Sequence, residues 1–250
     1  ESVLSPRTTE NSMKVRGQRE CKACGTRWSY YDSGSVSCPA CGSLHSVGTD
    51  NERSLHTATA DTLDLTPVRR EIDSKPLRRL TERASDRVRG FTRGYGFIDG
   101  GKLRELDETY LAAMELRYVA RELTRRMDIG ENEERYFTSL LRADEGIRPP
   151  PEDVPKSMRA MRGLAYANAV EEYRSDLRTY LKEHPDAAVD EVIERLSSHV
   201  KRIRALDGDV DPDEAERLVA TARAIGRYLA DNDERALLKA EERLDAFVRD

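Results

Sequence analysis

Long apolar runs are missing from this chain of 250 residues. No stretch approaches the roughly 18–20 apolar residues that a membrane-spanning helix requires, so a transmembrane protein is excluded. No N-terminal segment passes from basic to apolar to small residues, so a signal peptide is not expected. Aromatics are few, with one Trp and four Phe, and 38% hydrophobic residues stand against 36% charged ones. That balance points to a helical, well-solvated protein with one or two domains. The four histidines, His45, His56, His184 and His199, are isolated; none forms an i, i+4 metal pair or a triad signature. Cysteine is absent outside positions 21–41. A secreted disulfide scaffold would spread its cysteines through the core, whereas tight pairing implies a metal and a reducing, cytoplasmic setting.

What is present is organised in blocks. Residues 1–12 are polar and aperiodic and read as a disordered tail. Met13 stands where organised sequence begins and is a second candidate start. Residues 13–48 form a Cys, Gly and aromatic module with β-prone pieces around its turns. Residues 49–65 have linker composition. From residue 66 onward the pattern is helical, opened by Thr66-Pro67. Apolar steps of three and four mark helices over about 102–127 (Leu106, Tyr110, Ala113, Leu116, Ala120, Leu123, Met127), 131–143, 155–183, 187–206, 212–230 and 233–249. Asp211 and Asp233 are read as caps. Strand-like alternation is absent after residue 50. The expected fold is a small β zinc ribbon followed by an all-α helical bundle of about six or seven helices.

The chemistry lies in Cys21-Lys22-Ala23-Cys24-Gly25 and Cys38-Pro39-Ala40-Cys41-Gly42. Two residues between thiolates let one tight turn aim both sulfurs at a single ion. The Gly after each second Cys can take the positive φ that closes such a turn. Two knuckles make a tetrahedral Cys₄ site, and the expected occupant is one structural Zn²⁺ held by Cys21, Cys24, Cys38 and Cys41. A module this small cannot fold on core burial alone, so metal binding should supply most of its folding energy. Four thiolates leave no open position for water, so catalytic zinc is not expected.

Trp28, Tyr30 and Tyr31 lie between the knuckles. In a strand, Trp28 and Tyr30 would share a face and Tyr31 would take the other. They either pack a mini-core over the metal or present a contact platform. Lys22, Arg27, Trp28 and Tyr31 are the candidate residues for contact with a protein partner or nucleic acid. Residues 13–106 carry a net charge of +5 and residues 107–250 a net charge of -9. Arg69, Arg70, Arg78, Arg79, Arg83, Arg87, Arg89 and Arg93 could belong to a nucleic-acid face. Interleaved Glu71, Asp73, Glu82 and Asp86 fit a salt-bridged helix surface better.

Three further stretches come close to known motifs. Gly96-Phe97-Ile98-Asp99-Gly100-Gly101-Lys102-Leu103 resembles a P-loop but has Leu where Ser or Thr must hold Mg²⁺; its glycines are read as a turn capping the helix that follows. Arg93-Gly94-Tyr95-Gly96-Phe97-Ile98 imitates an RNA-binding strand without a sheet to stand on. Asp207-Gly208-Asp209-Val210-Asp211-Pro212 lacks the Gly of a calcium loop and reads as an acidic inter-helix turn. No catalytic constellation emerges, so an enzyme is not expected.

The opening Lys14-Val15-Arg16-Gly17-Gln18-Arg19-Glu20-Cys21, with both knuckles, Arg27-Trp28-Ser29-Tyr30-Tyr31 and the later Gly96–Gly101 and Thr109–Ala113 stretches, resembles the haloarchaeal proteins described as TFIIB-type zinc ribbon-containing. Arg outnumbering Lys by 34 to 8, with 22 Asp, suits a GC-rich, salt-adapted genome. The resemblance implies a zinc ribbon on a helical domain. It also brings in transcription factor B, whose ribbon docks on RNA polymerase. The resulting expectation is a protein-interaction adaptor with a transcription-related role, alternatively a nucleic-acid binder through the basic ribbon and first helix, and as a lesser alternative an enzyme with a purely structural zinc ribbon.

Overall fold

A computed structural model describes residues 13–247; the tail expected over residues 1–12 lies outside the described residues. The chain forms two compact units, each built from separated segments. The first takes the described residues up to Asp61, then Gly94–Arg104 and Ser175–Pro185. The second takes Thr62–Arg93, Glu105–Arg174 and the residues from Asp186 onward.

The first unit holds seven short strands among the described residues: β1 (Met13–Val15), β2 (Gln18–Cys21), β3 (Arg27–Ser29), β4 (Ser46–Gly48), β5 (Ser54–His56), β6 (Ile98–Asp99) and β7 (Lys102–Leu103). A one-turn helix, α1 (Tyr30–Ser33), follows β3. β2 is the centre of an antiparallel three-stranded sheet in the order β3-β2-β4, with Arg19 opposite both Trp28 and Gly48. β1 pairs with β5, and β6 pairs with β7.

Two of these strands lie in stretches read from sequence as linker or loop, and a third lies at the expected start of a helix. β5 falls inside 49–65, and β6 and β7 flank Gly100 and Gly101. Strands of two or three residues are too short to display alternation. The two glycines have φ of +54° and +84°, the geometry of a type I′ hairpin turn, and do not cap the next helix. One carboxylate ties three segments of this unit together. Asp176 accepts hydrogen bonds from Thr57 Oγ1 (2.7 Å) and from the Phe97 N–H (2.6 Å), while Thr57 Oγ1 accepts from the Ile98 N–H (3.0 Å). A Cβ at Gly96 would overlap the Thr57 carbonyl, so the chain comes this close only as glycine.

The second unit is helical: α2 (Thr66–Arg69), α3 (Leu77–Gly94), α4 (Glu108–Arg125), α5 (Glu131–Leu140), α6 (Arg159–Leu181), α7 (Ala187–Ala205), α8 (Pro212–Asp231) and α9 (Glu234–Ala246). Seven of these exceed a single turn, in line with the six or seven expected; Gly94, the last residue of α3, and the α6 residues from Ser175 on are counted with the first unit. Aspartates start four of them: Asp107, Asp186, Asp211 and Asp233 each accept a backbone N–H of the first turn. α4 therefore begins at Glu108 and not near 102. It ends at Arg125, and Met127, expected on its apolar face, is almost fully exposed. α6 buries Ala165, Tyr166, Ala167, Ala169 and Val170, while Leu164, Asn168 and Ser175 mark a half-buried stripe along it.

That core contains charge. Glu115 and Arg162 are both wholly buried, and Glu115 also accepts from the hydroxyls of Tyr136 and Tyr166. Arg148 bridges Glu108 and Glu216. Burial, with the Glu115 charge beside them, pushes the Tyr136 and Tyr166 hydroxyls well above their ordinary value, so both remain hydrogen-bond donors.

Candidate metal centre

The first knuckle closes the β2-β3 hairpin and the second lies in the loop between α1 and β4, yet both repeat one hydrogen-bond pattern. The Gly25 N–H donates to the Cys21 carbonyl and the Cys21 N–H to the Thr26 carbonyl, both at 2.9 Å. The Gly42 N–H donates to the Cys38 carbonyl and the Cys38 N–H to the Ser43 carbonyl, again at 2.9 Å. Gly25 and Gly42 have φ of +75° and +71°, and a Cβ at either would meet nothing within 4 Å. The glycines are there for backbone conformation, not for space. The Ala23 N–H also points at Cys21 Sγ (3.4 Å), giving the sulfur a donor.

All four sulfurs lie within 4.8 Å of one another. Across the knuckles, Cys21 Sγ is 3.6 Å from Cys41 Sγ, and Cys24 Sγ is 3.6 Å from Cys38 Sγ. A regular tetrahedron with bonds of about 2.3 Å has sulfur–sulfur edges of about 3.8 Å, so the donor set fits a tetrahedral thiophilic ion. Cys21 and Cys38 are buried, while Cys24 and Cys41 face outward.

Electrostatics favour the same conclusion. The Thr26 hydroxyl and backbone pull the Cys24 thiol down to about 6. Cys41 moves the other way: a Ser43 backbone bond draws it down, but the Cys24 and Cys21 sulfurs and burial carry it up to about 12. Four sulfurs this close cannot all ionise without a cation among them, and a metal ion removes that conflict.

Trp28 closes the inner side. It is buried with Cys21 and Cys38, and its indole N–H donates to the Ser35 carbonyl (3.1 Å). Strand β3 ends at Ser29, whose side chain caps α1, so alternation does not extend to Tyr30 and Tyr31. Tyr31 is half-buried: its hydroxyl donates to the Val15 carbonyl (3.1 Å) and its ring lies 4.7 Å from that of His56. Of the four candidate contact residues, Trp28 and Tyr31 are therefore held inside the unit. Lys22 and Arg27 are exposed, and both lean on Glu20, at 4.0 and 2.8 Å.

Five arginines of the arginine-rich stretch are engaged within the protein. Arg69 pairs with Asp144, Arg83 with Glu71, and Arg78 and Arg79 with Glu82, while Arg87 donates to the Asp64 carbonyl. In the Gly-rich stretch, Tyr95 and Phe97 are buried, so neither offers a stacking face.

A family model described as a family of unknown function, DUF7117, matches residues 13–244. The chain belongs to the DUF7117 family. The match spans both knuckles and every helix through α8, and it ends within α9. Comparisons with curated proteins and with solved structures gave no match. Among the described residues, no helix is long and apolar enough to cross a membrane.

Sequence reasoning passed over His56, Asp99 and Asp176, which organise the first unit. His56 Nδ1 accepts from the Gly100 N–H (3.3 Å) and lies 3.4 Å from the Asp99 carboxylate. Burial holds the imidazole below its ordinary value, with Asp99 opposing. No local spacing announces these residues, because their partners are distant in sequence.

Proposed function

We propose that this protein is a zinc-ribbon adaptor: Zn²⁺ on Cys21, Cys24, Cys38 and Cys41 rigidifies a module whose task is to bind another protein. The observation that carries the reading is the closed set of four sulfurs within 4.8 Å. Thiolates select a soft, tetrahedral ion, and four of them leave no site for substrate or water, so the metal's role is structural. A metal invested in folding so small a module makes sense where the module's surface is the product. Clustered free thiols suit a reducing, cytoplasmic setting. The resemblance to TFIIB-type zinc ribbons of haloarchaea gives the adaptor reading its transcription-related direction. Against nucleic-acid binding stand the ion pairs that engage Arg69, Arg78, Arg79 and Arg83.

The test has two arms. Elemental analysis of the purified chain should give one zinc per molecule; iron would overturn the metal assignment. A tagged pull-down at native salt, with and without nuclease, should retain a stoichiometric protein partner in both arms. Recovery of nucleic acid in direct contact, or loss of every partner after nuclease, would replace the adaptor with the nucleic-acid reading.

A further inference from the structure

Residues 33–49 contain no Asp, Glu, Lys or Arg: seventeen positions in a chain that is 36% charged, where about six charges would be ordinary, and the longest such stretch in the sequence. This segment carries the whole second knuckle. It also carries three of the seven large hydrophobic side chains that stand exposed among the described residues: Val36 at 44%, Leu44 at 70% and Val47 at 40%. A single exposed aliphatic is ordinary, but a local group of them is not. The module's own core is made by Cys21, Trp28 and Cys38, so these three side chains are not spent on holding it together.

The backbone beneath them is fixed. Ser46 Oγ donates to the Val36 carbonyl (2.8 Å), the Ser46 N–H to the Leu44 carbonyl (3.0 Å), and the Cys38 N–H to the Ser43 carbonyl (2.9 Å). A surface held this way loses little conformational freedom when a partner settles on it. The charges next to it are one-sided. Register places Val47 opposite Glu20, and Glu20 opposite Arg27, so the three share one face of the β3-β2-β4 sheet. Glu20 is already engaged by Arg27 and Lys22, whose side chains are 76% and 60% exposed. The rim beside Val47 is therefore basic on balance.

We propose that this uncharged segment, through Leu44 and Val47 with Val36 nearby in the chain, docks a protein segment that offers apolar side chains flanked by carboxylates. The apolar groups give the contact its affinity, and Lys22 and Arg27 orient it. This deepens the adaptor reading and rests on it.

The experiment pans random twelve-residue peptides on the full-length, zinc-loaded chain, and in parallel on a Leu44→Glu/Val47→Glu variant shown by metal analysis to keep its zinc. Enriched peptides should combine aliphatic or aromatic residues with Asp and Glu. They should bind the double variant at least about tenfold more weakly. They should also bind a Lys22→Glu/Arg27→Glu variant several-fold more weakly, with the difference shrinking as salt rises. Absence of enrichment, basic consensus peptides, or equal binding to the Leu44/Val47 variant would overturn the proposal. A photo-crosslinking amino acid placed at Leu44, and separately at exposed Leu238, separates this failure from that of the adaptor reading. Partner adducts from Leu238 alone would leave an adaptor whose docking face lies elsewhere, adducts to a second copy of the chain from Leu44 would make the face a dimer contact, and no protein adduct from either site would overturn both.

Discussion

Arg162 donates its Nε–H to Glu115 Oε1 at 2.6 Å, and neither side chain has any exposure to solvent. Taking both charges out of water is costly, and what offsets it is a complete set of donors around one carboxylate: Arg162, Tyr136 and Tyr166. Removing the carboxylate strands all three. Glu115→Ala should lower stability by about 3–5 kcal/mol, read as a shift of the urea midpoint by far-UV circular dichroism. A Glu115→Leu/Arg162→Met double variant should lose much less than the sum of the two single changes. Additive losses would mean that the pair is not coupled.

Trp28 is the only tryptophan, and it is buried with Cys21 and Cys38. Its emission therefore reports the metal module separately from the helices. Chelation, or Cys38→Ser, should move the emission to longer wavelength while most of the 222 nm ellipticity remains. A collapse of the helical signal in parallel would show that the second unit depends on the metal.

The His56 imidazole is buried between Tyr30 and Tyr31 and accepts the Gly100 N–H. Burial lowers its pKa in the folded chain, so the native state binds fewer protons than the unfolded one. Its contribution to stability is therefore complete above the ordinary value of 6.5 and is lost as pH falls through the lower folded value. Proton NMR of the His56 ring should give a midpoint below 6.5. A midpoint at or above that value would mean that the Asp99 charge outweighs burial.

Two glycines of the second unit should respond with opposite signs. A Cβ at Gly163 would overlap the Gly208 carbonyl, where one backbone lies directly on another. Gly163→Ala should cost about 1–3 kcal/mol. At Gly90, within α3, an added methyl would have no neighbour within 4 Å, and Gly90→Ala should stabilise by about 0.5–1 kcal/mol. Thermal melts of the two variants decide both, and equal effects would contradict the packing described.

Features whose cause is local were legible in the sequence. The knuckles announce themselves because two residues and a glycine dictate the turn. Asp211 and Asp233 announce helix starts because a cap acts on the next three residues. What stayed hidden depends on distant pairing. Asp176 holds Thr57 from 119 residues away, and Lys14 meets Glu183 across 169. Strand β5 has meaning only through β1, and its own three residues look like linker. Glu115 was hidden for another reason: a glutamate on a helix reads as solvated unless its buried partners, Arg162 and two tyrosines, are known.

The first unit closes on residues that the chain delivers late. Between Asp61 and Ser175 lie 113 residues, and Asp176 is the group that fastens Thr57 and Phe97. At ribosomal speeds of roughly 5–20 residues per second, the cysteine knuckles wait about 7–27 s after emerging before that fastener exists. During that interval an ion captured by the proposed site would hold the knuckles in order, beside the β3-β2-β4 and β1-β5 pairings that need only early residues, and nascent chains starved of it would meet their last segment with less assembled to receive it.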